Sequence, residues 1–368
     1  MPLSIETKYT DSRIGRIGYQ TIGDGPFDLV MSPDWTNCME LMWEDPRFES
    51  YLRELASFSR LILFDHRGCG ISDPPPVTAV SMGLAVEGGA EEIEAVMDAV
   101  GSERASLLGL NLGSWAIMLF AATAPRRVRS MVLVDTSARI AAAPDYPFGA
   151  TPEQLTRLVQ FLKRTRGTVE GLRLSDPKAA GDPQFAQWYA RYVRLSISPS
   201  LFDACWDTVE EADLRPVLPA ITAPTLVIGH RDSRAYPVET GRYIAEHIPG
   251  AAFREMPGGD ALFFRRSPNL ALQEVREFLT GDRAEPEVDR ILATILFTDI
   301  VGSTEKAAEL GDRGWAERLV RHHALVRHEL ERFRGTEVDN AGDGFFATFD
   351  GPARAIRCAM AIRNSVES

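Results

Sequence analysis

Cysteine and long apolar runs are both scarce in this sequence. The four cysteines lie far apart and form no C-x-x-C pair, which excludes the common patterns of zinc sites and of secreted disulfide frameworks. No stretch approaches the ~20 apolar residues that span a bilayer, and the N-terminus has neither the basic start nor the apolar run of a signal peptide. These absences predict a cytoplasmic protein with no membrane partner.

Basic charge is also in short supply. The formal net charge is -12, whereas nucleic-acid binding depends on Lys and Arg that neutralise phosphates, so we expect no nucleic-acid partner. An acidic protein can still bind nucleotides through Mg²⁺ or Mn²⁺. The chain has 368 residues, and because single cores stop growing at about 250 to 300 residues, we expect two domains.

Strand-like and helix-like segments alternate through residues 1–281. Apolar runs of strand length end at turn residues, as buried parallel strands do, and amphipathic segments lie between them. This alternation predicts a doubly wound α/β sheet. Residues 140–220 interrupt it with aromatic-rich helical sequence, which predicts a cap over the pocket mouth; the alternative is an extra helical layer without a gating role. The predicted strands are "FDLVMSP", "RLILFD", "ASLLGL", "SMVLVD" and "TLVIGH".

The composition changes after residue 281. Residues 282–290 are polar and charged and include a proline, as inter-domain linkers often do. A new apolar strand, "ILATILF", follows at once. The sequence therefore predicts a first domain at 1–281, a linker at 282–290 and a second unit at 291–368.

The segment "ASLLGLNLGSWAIMLF" predicts a strand, a sharp turn and a helix. Gly109 and Gly113 leave room for the turn, and Asn111 lies at its tip. With "FDHRGCGISDPP", "APTLVIGHRDSRAYP" and "MPGGDALFF" in the family's order, this segment resembles the nucleophile elbow of the α/β-hydrolase family. The resemblance covers nearly all of residues 1–281 and implies an α/β-hydrolase fold with a helical cap.

The resemblance also locates three positions that normally carry a catalytic triad. The nucleophile position is Asn111, the acid position is Ser233 and the histidine position is Ala261. Because an amide cannot form the acyl intermediate of an activated hydroxyl, we expect a pseudoenzyme domain whose pocket binds an unknown small ligand, or a scaffold. Three neighbours could stand in for the missing groups: Asp232, His230 and Ser114.

Two acidic residues mark the second unit. Asp299 follows the apolar strand, and Asp343 lies in the tight turn of "GTEVDNAGDGFFATFD". If the two strands are neighbours the carboxylates converge, and oxygen ligands of this kind suit Mg²⁺ or Mn²⁺. After Asp299, the turn of Gly302, Ser303 and Thr304 leads into a helix, where free backbone N–H groups can hold phosphate.

These segments resemble the start of the class III adenylyl and guanylyl cyclase domain, an α+β ferredoxin-like fold. The resemblance implies that Asp299, Ile300 and Asp343 hold two Mg²⁺ or Mn²⁺ ions, and that a homodimer converts ATP to cyclic AMP and pyrophosphate. Asp339 occupies the base-reading position of that family. Because a carboxylate suits the donor edge of guanine, GTP is an alternative substrate.

The sequence leaves three hypotheses for the activity. The main one is an adenylate cyclase with a catalytically degenerate hydrolase domain. The chain stops at Ser368, before the later strands of a cyclase domain, so we expect either a fragment of a longer protein or a cyclase half that cannot work alone. The alternatives are a hydrolase of small esters and a ligand-binding receptor without enzymatic activity.

Overall fold

The computed structural model describes residues 5–13, 15–75, 80–258, 269–282, 294–341 and 344–367. The chain divides into two compact units, Met1–Pro286 and Glu287–Ser368, and each is described by itself. The division falls inside the predicted linker at 282–290, of which only the first residue is described.

An eight-stranded sheet, counted over the described residues, forms the centre of the first unit. Its strands are β1 (Thr7–Ser12), β2 (Gly15–Ile22), β3 (Asp28–Ser32), β4 (Arg60–Phe64), β5 (Ala105–Leu110), β6 (Val128–Val134), β7 (Thr225–His230) and β8 (Ala252–Met256). The strand order is β1-β2-β4-β3-β5-β6-β7-β8. Strands β1, β2 and β4 pair antiparallel, and the other neighbours are parallel. The five predicted strands are β3 to β7, so the α/β prediction is confirmed.

Helices cover both faces of this sheet. They are α1 (Met39–Met42), α2 (Pro46–Phe58), α3 (Met82–Ala99), α4 (Gly113–Thr123), α5 (Pro152–Thr165), α6 (Val169–Ser175), α7 (Pro177–Ala180), α8 (Pro183–Ser196), α9 (Pro199–Asp207), α10 (Val238–His247) and α11 (Leu270–Thr280). One apolar cluster joins the sheet to α3 and α4, and another joins it to α2 and α11. All six residues of β5 are buried, as expected for a central parallel strand covered on both sides.

Helices α5 to α9 lie between β6 and β7, where the sequence predicts the cap. Four of them begin with a capping side chain followed directly by proline. The capping oxygen accepts a backbone N–H of the first turn, and proline at the first helical position lacks an N–H that would otherwise go unsatisfied. The capping residues are Thr151, Asp176, Asp182 and Ser198. Local sequence therefore sets where these helices start.

The described residues of the second unit form a small antiparallel sheet with two helices. Its elements are β9 (Thr294–Thr298), α12 (Ser303–Arg332), β10 (Thr336–Ala341), β11 (Gly344–Phe349) and α13 (Pro352–Glu367). The strand order is β10-β11-β9. Buried Phe345 and Phe349 of β11 pack with Val326 and Leu330 of α12. The sheet includes the predicted strand, but these residues do not show the ferredoxin-like cyclase domain.

Candidate active site

Asn111 occupies the tip of the turn between β5 and α4. Its φ is 51°, a left-handed conformation that asparagine tolerates better than most residues. Its backbone N–H donates to the Val134 carbonyl at 3.0 Å, which joins the turn to β6. A Cβ on Gly109 would lie 2.7 Å from the Ser114 Cα, so the turn needs glycine there. The chain therefore has an elbow at this point, and the role of Asn111 as a lost nucleophile stays a prediction.

The other two predicted triad positions differ in what the structure shows. Ser233 lies in the turn after β7, where its hydroxyl accepts the Tyr236 N–H at 3.2 Å. Ala261 lies outside the described residues. Ser233 thus stabilises a turn, and its assignment to the acid position, like that of Ala261 to the histidine position, stays a prediction.

Two of the suggested stand-ins are fully buried near the elbow. Ser114 has a hydroxyl with no hydrogen-bond partner among the described residues. His230 pairs with Asp135: its Nδ1 lies 2.6 Å from Oδ2 of that carboxylate, and its backbone N–H donates to Oδ1 at 2.9 Å. Asp135 has a φ of 46° at the end of β6. The third stand-in, Asp232, is exposed in the turn after β7.

A cluster of three other polar residues lies behind the elbow. Ser32 ends β3, His66 follows β4 and Glu92 belongs to α3. The Ser32 Oγ lies 2.9 Å from the His66 Nε2, and the His66 Nδ1 lies 2.7 Å from the Glu92 Oε2. An ionised carboxylate only accepts hydrogen bonds, so in the neutral imidazole Nδ1 carries the proton and Nε2 accepts the serine hydroxyl. We call these three residues the serine relay; its order is that of a nucleophile, a base and an orienting acid.

Glu92 is held as a carboxylate. Its Oε1 accepts the Arg67 Nε–H at 2.8 Å and the Arg67 backbone N–H at 3.2 Å. Burial alone would raise the pKa of Glu92, but the hydrogen bonds and charges of His66 and Arg67 outweigh it and lower the pKa. A Cβ on Gly88 would lie 1.7 Å from the Arg67 guanidinium, so glycine at this position of α3 admits the arginine. The imidazole is thereby fixed in one orientation.

The loop that carries His66 is anchored by its neighbour Asp65. The Asp65 carboxylate accepts the Asn37 side-chain amide at 2.9 Å and the backbone N–H groups of Met39 at 2.8 Å and Ile71 at 3.1 Å. Burial raises the pKa of Asp65 to about 7. These bonds tie the end of β4 to the segment after β3, and so keep His66 beside Ser32.

A cavity of about 360 Å³ borders the relay. Its lining is mostly apolar and includes the cap residues Ile197 and Leu201. His66 and Gly113 also line it, and both lie next to Ser32: the imidazole contacts the Ser32 hydroxyl, and a Cβ on Gly113 would lie 2.6 Å from the Ser32 Oγ. Ser32 itself is fully buried. The relay therefore meets the cavity through the imidazole and through the second glycine of the elbow.

Asp34, two residues after Ser32, also faces the elbow. Its carboxylate accepts the Trp35 N–H at 2.7 Å. Burial raises the pKa of Asp34 to about 7, although the hydrogen bond from Trp35 acts in the other direction.

The predicted metal site of the second unit is only partly described. Asp299 is exposed, and its carboxylate accepts the Ile300 N–H at 2.9 Å. Thr298 pairs with Phe345 across β9 and β11, but Asp343 lies outside the described residues. Among the residues that are described, no group of three or more His, Cys, Asp or Glu side chains could hold a metal ion. The predicted pair of Mg²⁺ or Mn²⁺ ions stays a prediction.

The predicted phosphate turn and base-reading residue lie on separate elements. Gly302 precedes α12 with a φ of 70°, and the helix begins with Ser303 and Thr304. The Ser303 N–H donates to the Ile300 carbonyl at 3.2 Å, so this N–H is already engaged. Asp339 is exposed on β10, opposite Phe346. The roles assigned to these residues stay predictions.

Comparison with known proteins identifies the first unit. The family profile of the α/β hydrolase fold matches residues 48–266. The chain belongs to this family. A pimeloyl-[acyl-carrier protein] methyl ester esterase of Neisseria meningitidis is 30% identical over 168 residues, which are 44% of this chain and 64% of that relative. A putative carbamate hydrolase of Caulobacter sp. is 26% identical over 241 residues, or 63% of this chain and 85% of the relative.

Solved structures agree on the fold. The superposition with an esterase from Exiguobacterium antarcticum spans 74% of this chain and 99% of the esterase, with a TM-score of 0.63 and 20% identity. The superposition with an enol-lactonase from Burkholderia xenovorans spans 74% of this chain and 100% of the lactonase, with a TM-score of 0.59 and 23% identity. At these identities the likeness establishes an α/β-hydrolase fold. Within the described residues, no helix is both long and apolar enough to cross a membrane.

These comparisons overturn the main functional prediction. The family profile, the relatives and the solved structures point to hydrolases, so the prediction of an adenylate cyclase, a lyase, is wrong. The expectation of a pseudoenzyme without hydrolase activity is contradicted as well. The cyclase inference depended on a few acidic and glycine positions, and the nucleoside triphosphate and the homodimer that it implied find no support here. The alternative of a hydrolase acting on small esters fits better.

The sequence reasoning missed the serine relay because its residues are far apart in the chain. His66 lies within "FDHRGCG", a segment used only as a family landmark. Ser32 ends a predicted strand, and Glu92 lies in a predicted amphipathic helix, where an acidic residue normally faces solvent. The signal that could have marked Glu92 is the preceding pair Gly88 and Gly89, since glycines inside a helix often indicate close packing.

Proposed function

We propose that this chain is a hydrolase of small esters or closely related acyl compounds. The observation that carries the proposal is the serine relay: a serine, an imidazole and an ionised carboxylate within hydrogen-bond distance, beside a cavity of the fold. A nucleophile, its base and an orienting acid are recognised by geometry and role rather than by position in the sequence. The relay would supply the groups that the elbow at Asn111 lacks.

The chemistry follows from the proton positions. The Ser32 Oγ attacks the acyl carbon while its proton passes to the His66 Nε2, and Glu92 stabilises the imidazolium through Nδ1. The imidazolium then gives this proton to the leaving alcohol, and an acyl-serine remains. Water repeats the sequence in the second half: its proton goes to Nε2, its oxygen bonds to the acyl carbon, and the serine recovers its proton as the acid leaves.

Access to Ser32 requires movement of the cavity wall. Trp35 lines the cavity three residues after Ser32 and packs against Phe202 and Trp206 of the cap, with ring centroids 5.7 Å and 6.4 Å away. We propose that displacement of Trp35 together with α9 opens the path from the cavity to the hydroxyl. This coupling gives the cap a gating role.

The size and the lining of the cavity support a small substrate. A volume of about 360 Å³ lies at the lower end of ligand pockets, and its mostly apolar lining suits an acyl chain. The relatives named as a methyl ester esterase and as a carbamate hydrolase support ester or carbamate carbonyls as the reacting group.

The test compares hydrolysis of p-nitrophenyl acetate and butyrate by the full chain and by two variants. Ser32→Ala should lower kcat/KM by at least about 10³-fold, because no acyl-serine can form. The matched control is Asn111→Gly, which keeps the left-handed backbone of the elbow and should leave the rate within a few-fold. Circular dichroism and urea unfolding check that both variants fold.

Covalent labelling gives an independent readout. A fluorophosphonate probe should add one label per chain, and peptide mapping should place it on the peptide that contains Ser32. Labelling of another serine, or full activity in a folded Ser32→Ala protein, would refute the assignment of the nucleophile. Failure of the wild-type chain to hydrolyse any ester or carbamate would refute the proposed function.

A further inference from the structure

Arg67 is the only permanent cation among the described residues that line the cavity beside the serine relay. It follows His66 directly, and its side chain is 11% exposed. A Cβ on Gly88, which also lines the cavity, would lie 1.7 Å from one terminal nitrogen of the guanidinium and 2.9 Å from its central carbon. The guanidinium therefore lies in the wall of the cavity, against the backbone of α3.

The hydrogen-bonding capacity of this guanidinium is only partly used. Its Nε–H donates to the Glu92 Oε1 at 2.8 Å. Within the described part of the chain, neither of the two terminal nitrogens of Arg67 has a hydrogen-bond partner. Neither is among the enclosed nitrogens that lack a partner, so both remain accessible. Because arginine presents its donors in a rigid planar fork, the anchored Nε–H also holds the terminal N–H groups in place.

The charges around Arg67 decide which kind of acceptor these donors suit. Glu92, whose side chain is 3% exposed, already balances the charge of Arg67. The other charged residues of the described lining are carboxylates: Glu91, which pairs with Arg13 at 3.0 Å, and the exposed Glu87. A carboxylate in the ligand would add a negative charge without a counter-charge, whereas an uncharged carbonyl oxygen needs only the donors.

We propose that the terminal N–H groups of Arg67 bind a second, uncharged carbonyl oxygen of the substrate, so that the cavity selects oxo-acyl esters over plain acyl esters of the same length. The selection during hydrolysis rests on the proposed function, whereas binding of a ketone to Arg67 does not. The mostly apolar lining, which includes Ile197 and Leu201, suits the carbon chain between the two carbonyl groups. A plain acyl chain at the same place would leave the donors without an acceptor, which is what makes such a site selective.

The binding test uses the full chain labelled with ¹⁵N-arginine and 2-hexanone as the probe. The terminal-nitrogen resonances of Arg67 are assigned by their loss in Arg67→Lys. In the wild type 2-hexanone should shift them to saturation, and the hexanoate anion should need at least about tenfold higher concentration for the same effect. Resonances of Arg67 that ignore 2-hexanone, or that respond equally to hexanoate, would overturn the inference.

The activity test compares the p-nitrophenyl esters of 4-oxopentanoate and 5-oxohexanoate with those of pentanoate and hexanoate. Each kcat/KM is divided by the rate of the same ester with hydroxide, which removes differences in intrinsic reactivity. The wild type should favour at least one oxo ester over its plain partner by roughly 10- to 100-fold, because a hydrogen bond to a charged group contributes about that much. Arg67→Lys weakens the hold on Glu92 and should slow every ester, but the ratio of oxo to plain ester should fall to near one.

Two further variants separate recognition from support of the relay. Gly88→Ala keeps the arginine but displaces its terminal nitrogen, and it should also lower the ratio. The control Arg126→Lys changes an exposed arginine after α4 and should keep the ratio of the wild type. A role of Arg67 in holding Glu92 alone would slow both esters of a pair equally and leave their ratio unchanged.

The outcomes distinguish this inference from the proposed function. A ratio near one in an active wild type, or a ratio that survives Arg67→Lys, would overturn the inference while ester hydrolysis stands. A preference for mono-p-nitrophenyl succinate over the 4-oxopentanoate ester would refute the uncharged acceptor. If no protein hydrolyses any ester while 2-hexanone still shifts the Arg67 resonances, the binding site stands and the proposed function is what fails.

Discussion

Glu92→Gln tests whether the serine relay is an assembled unit. Glu92 and Arg67 are a buried pair, with 3% and 11% of their side chains exposed, and the His66 side chain is 10% exposed. Breaking a buried ion pair by removing one partner costs about 3–5 kcal/mol. Glutamine can still accept one hydrogen bond from Arg67, so we expect a loss near the lower end, about 3 kcal/mol in the free energy of unfolding.

The same substitution should disable the base. The glutamine NH₂ is a donor, so it would face the proton on the His66 Nδ1 and favour the other tautomer. In that tautomer Nε2 carries the proton and can no longer accept the hydrogen bond from the serine hydroxyl. In a serine–histidine–acid relay the corresponding change costs roughly 10⁴ in kcat. Urea unfolding followed by tryptophan fluorescence measures the stability, and p-nitrophenyl butyrate hydrolysis measures the rate.

Glu91→Gln is the matched control, one residue earlier on α3. Glu91 pairs with Arg13 at 3.0 Å, and their side chains are 42% and 81% exposed. Exposed pairs contribute about 0–1 kcal/mol, so this variant should resemble the wild type in stability. A Glu92→Gln protein that unfolds at the same urea concentration as Glu91→Gln and hydrolyses the ester within threefold of the wild type would refute the relay.

Three further predictions follow from single contacts. The pKa of Glu92 is lowered in the folded protein, so its contribution to stability is complete above about pH 4.5, its ordinary pKa, and is lost as the pH falls through the folded-state pKa. The difference in unfolding free energy between the wild type and Glu92→Gln should therefore shrink in acid. A difference that grows in acid would contradict this prediction. Gly113→Ala places a Cβ 2.7 Å from the Ser32 carbonyl oxygen and should destabilise the chain by about 1–3 kcal/mol in urea unfolding, whereas Gly83→Ala, whose nearest neighbour is 3.9 Å away, should be neutral or stabilising. Asn111→Ala should be less stable than Asn111→Gly by about 1–2 kcal/mol because φ is 51°, and equal stability would show that the elbow relaxes.

The local sequence was sufficient to predict most of the secondary structure of the first unit. The parallel strands β3 to β7 are buried on both faces, so they read as continuous apolar runs, and the cap helices begin at capping residues followed by proline. The elbow was predictable because Gly109, Asn111 and Gly113 are the residue types that its backbone requires. Strands β1 and β2 were not predicted, since they form an antiparallel edge whose outer strand has no buried residue.

Cyclase activity was inferred from short motifs alone, and that is where the sequence reasoning failed. Asp299 and Asp339 are surface residues in the described structure, and the roles given to them required a family whose activity the comparisons do not support. Short acidic and glycine patterns recur in turns for reasons of backbone geometry, so they carry less weight than a match across a whole domain.

The sequence by itself determined the parallel strands β3 to β7, the place of the cap and the glycine turn of the elbow, because each depends on neighbours within a few residues. Only the tertiary structure decided that Ser32, His66 and Glu92 meet, since they come from β3, the loop after β4 and α3, which are adjacent only once β3 and β4 pair in parallel. The same holds for Asp34, whose backbone lies against the start of α4 because Gly113 lets two distant segments touch. Chemistry of this kind depends on distances between segments, and no pattern along the chain records them.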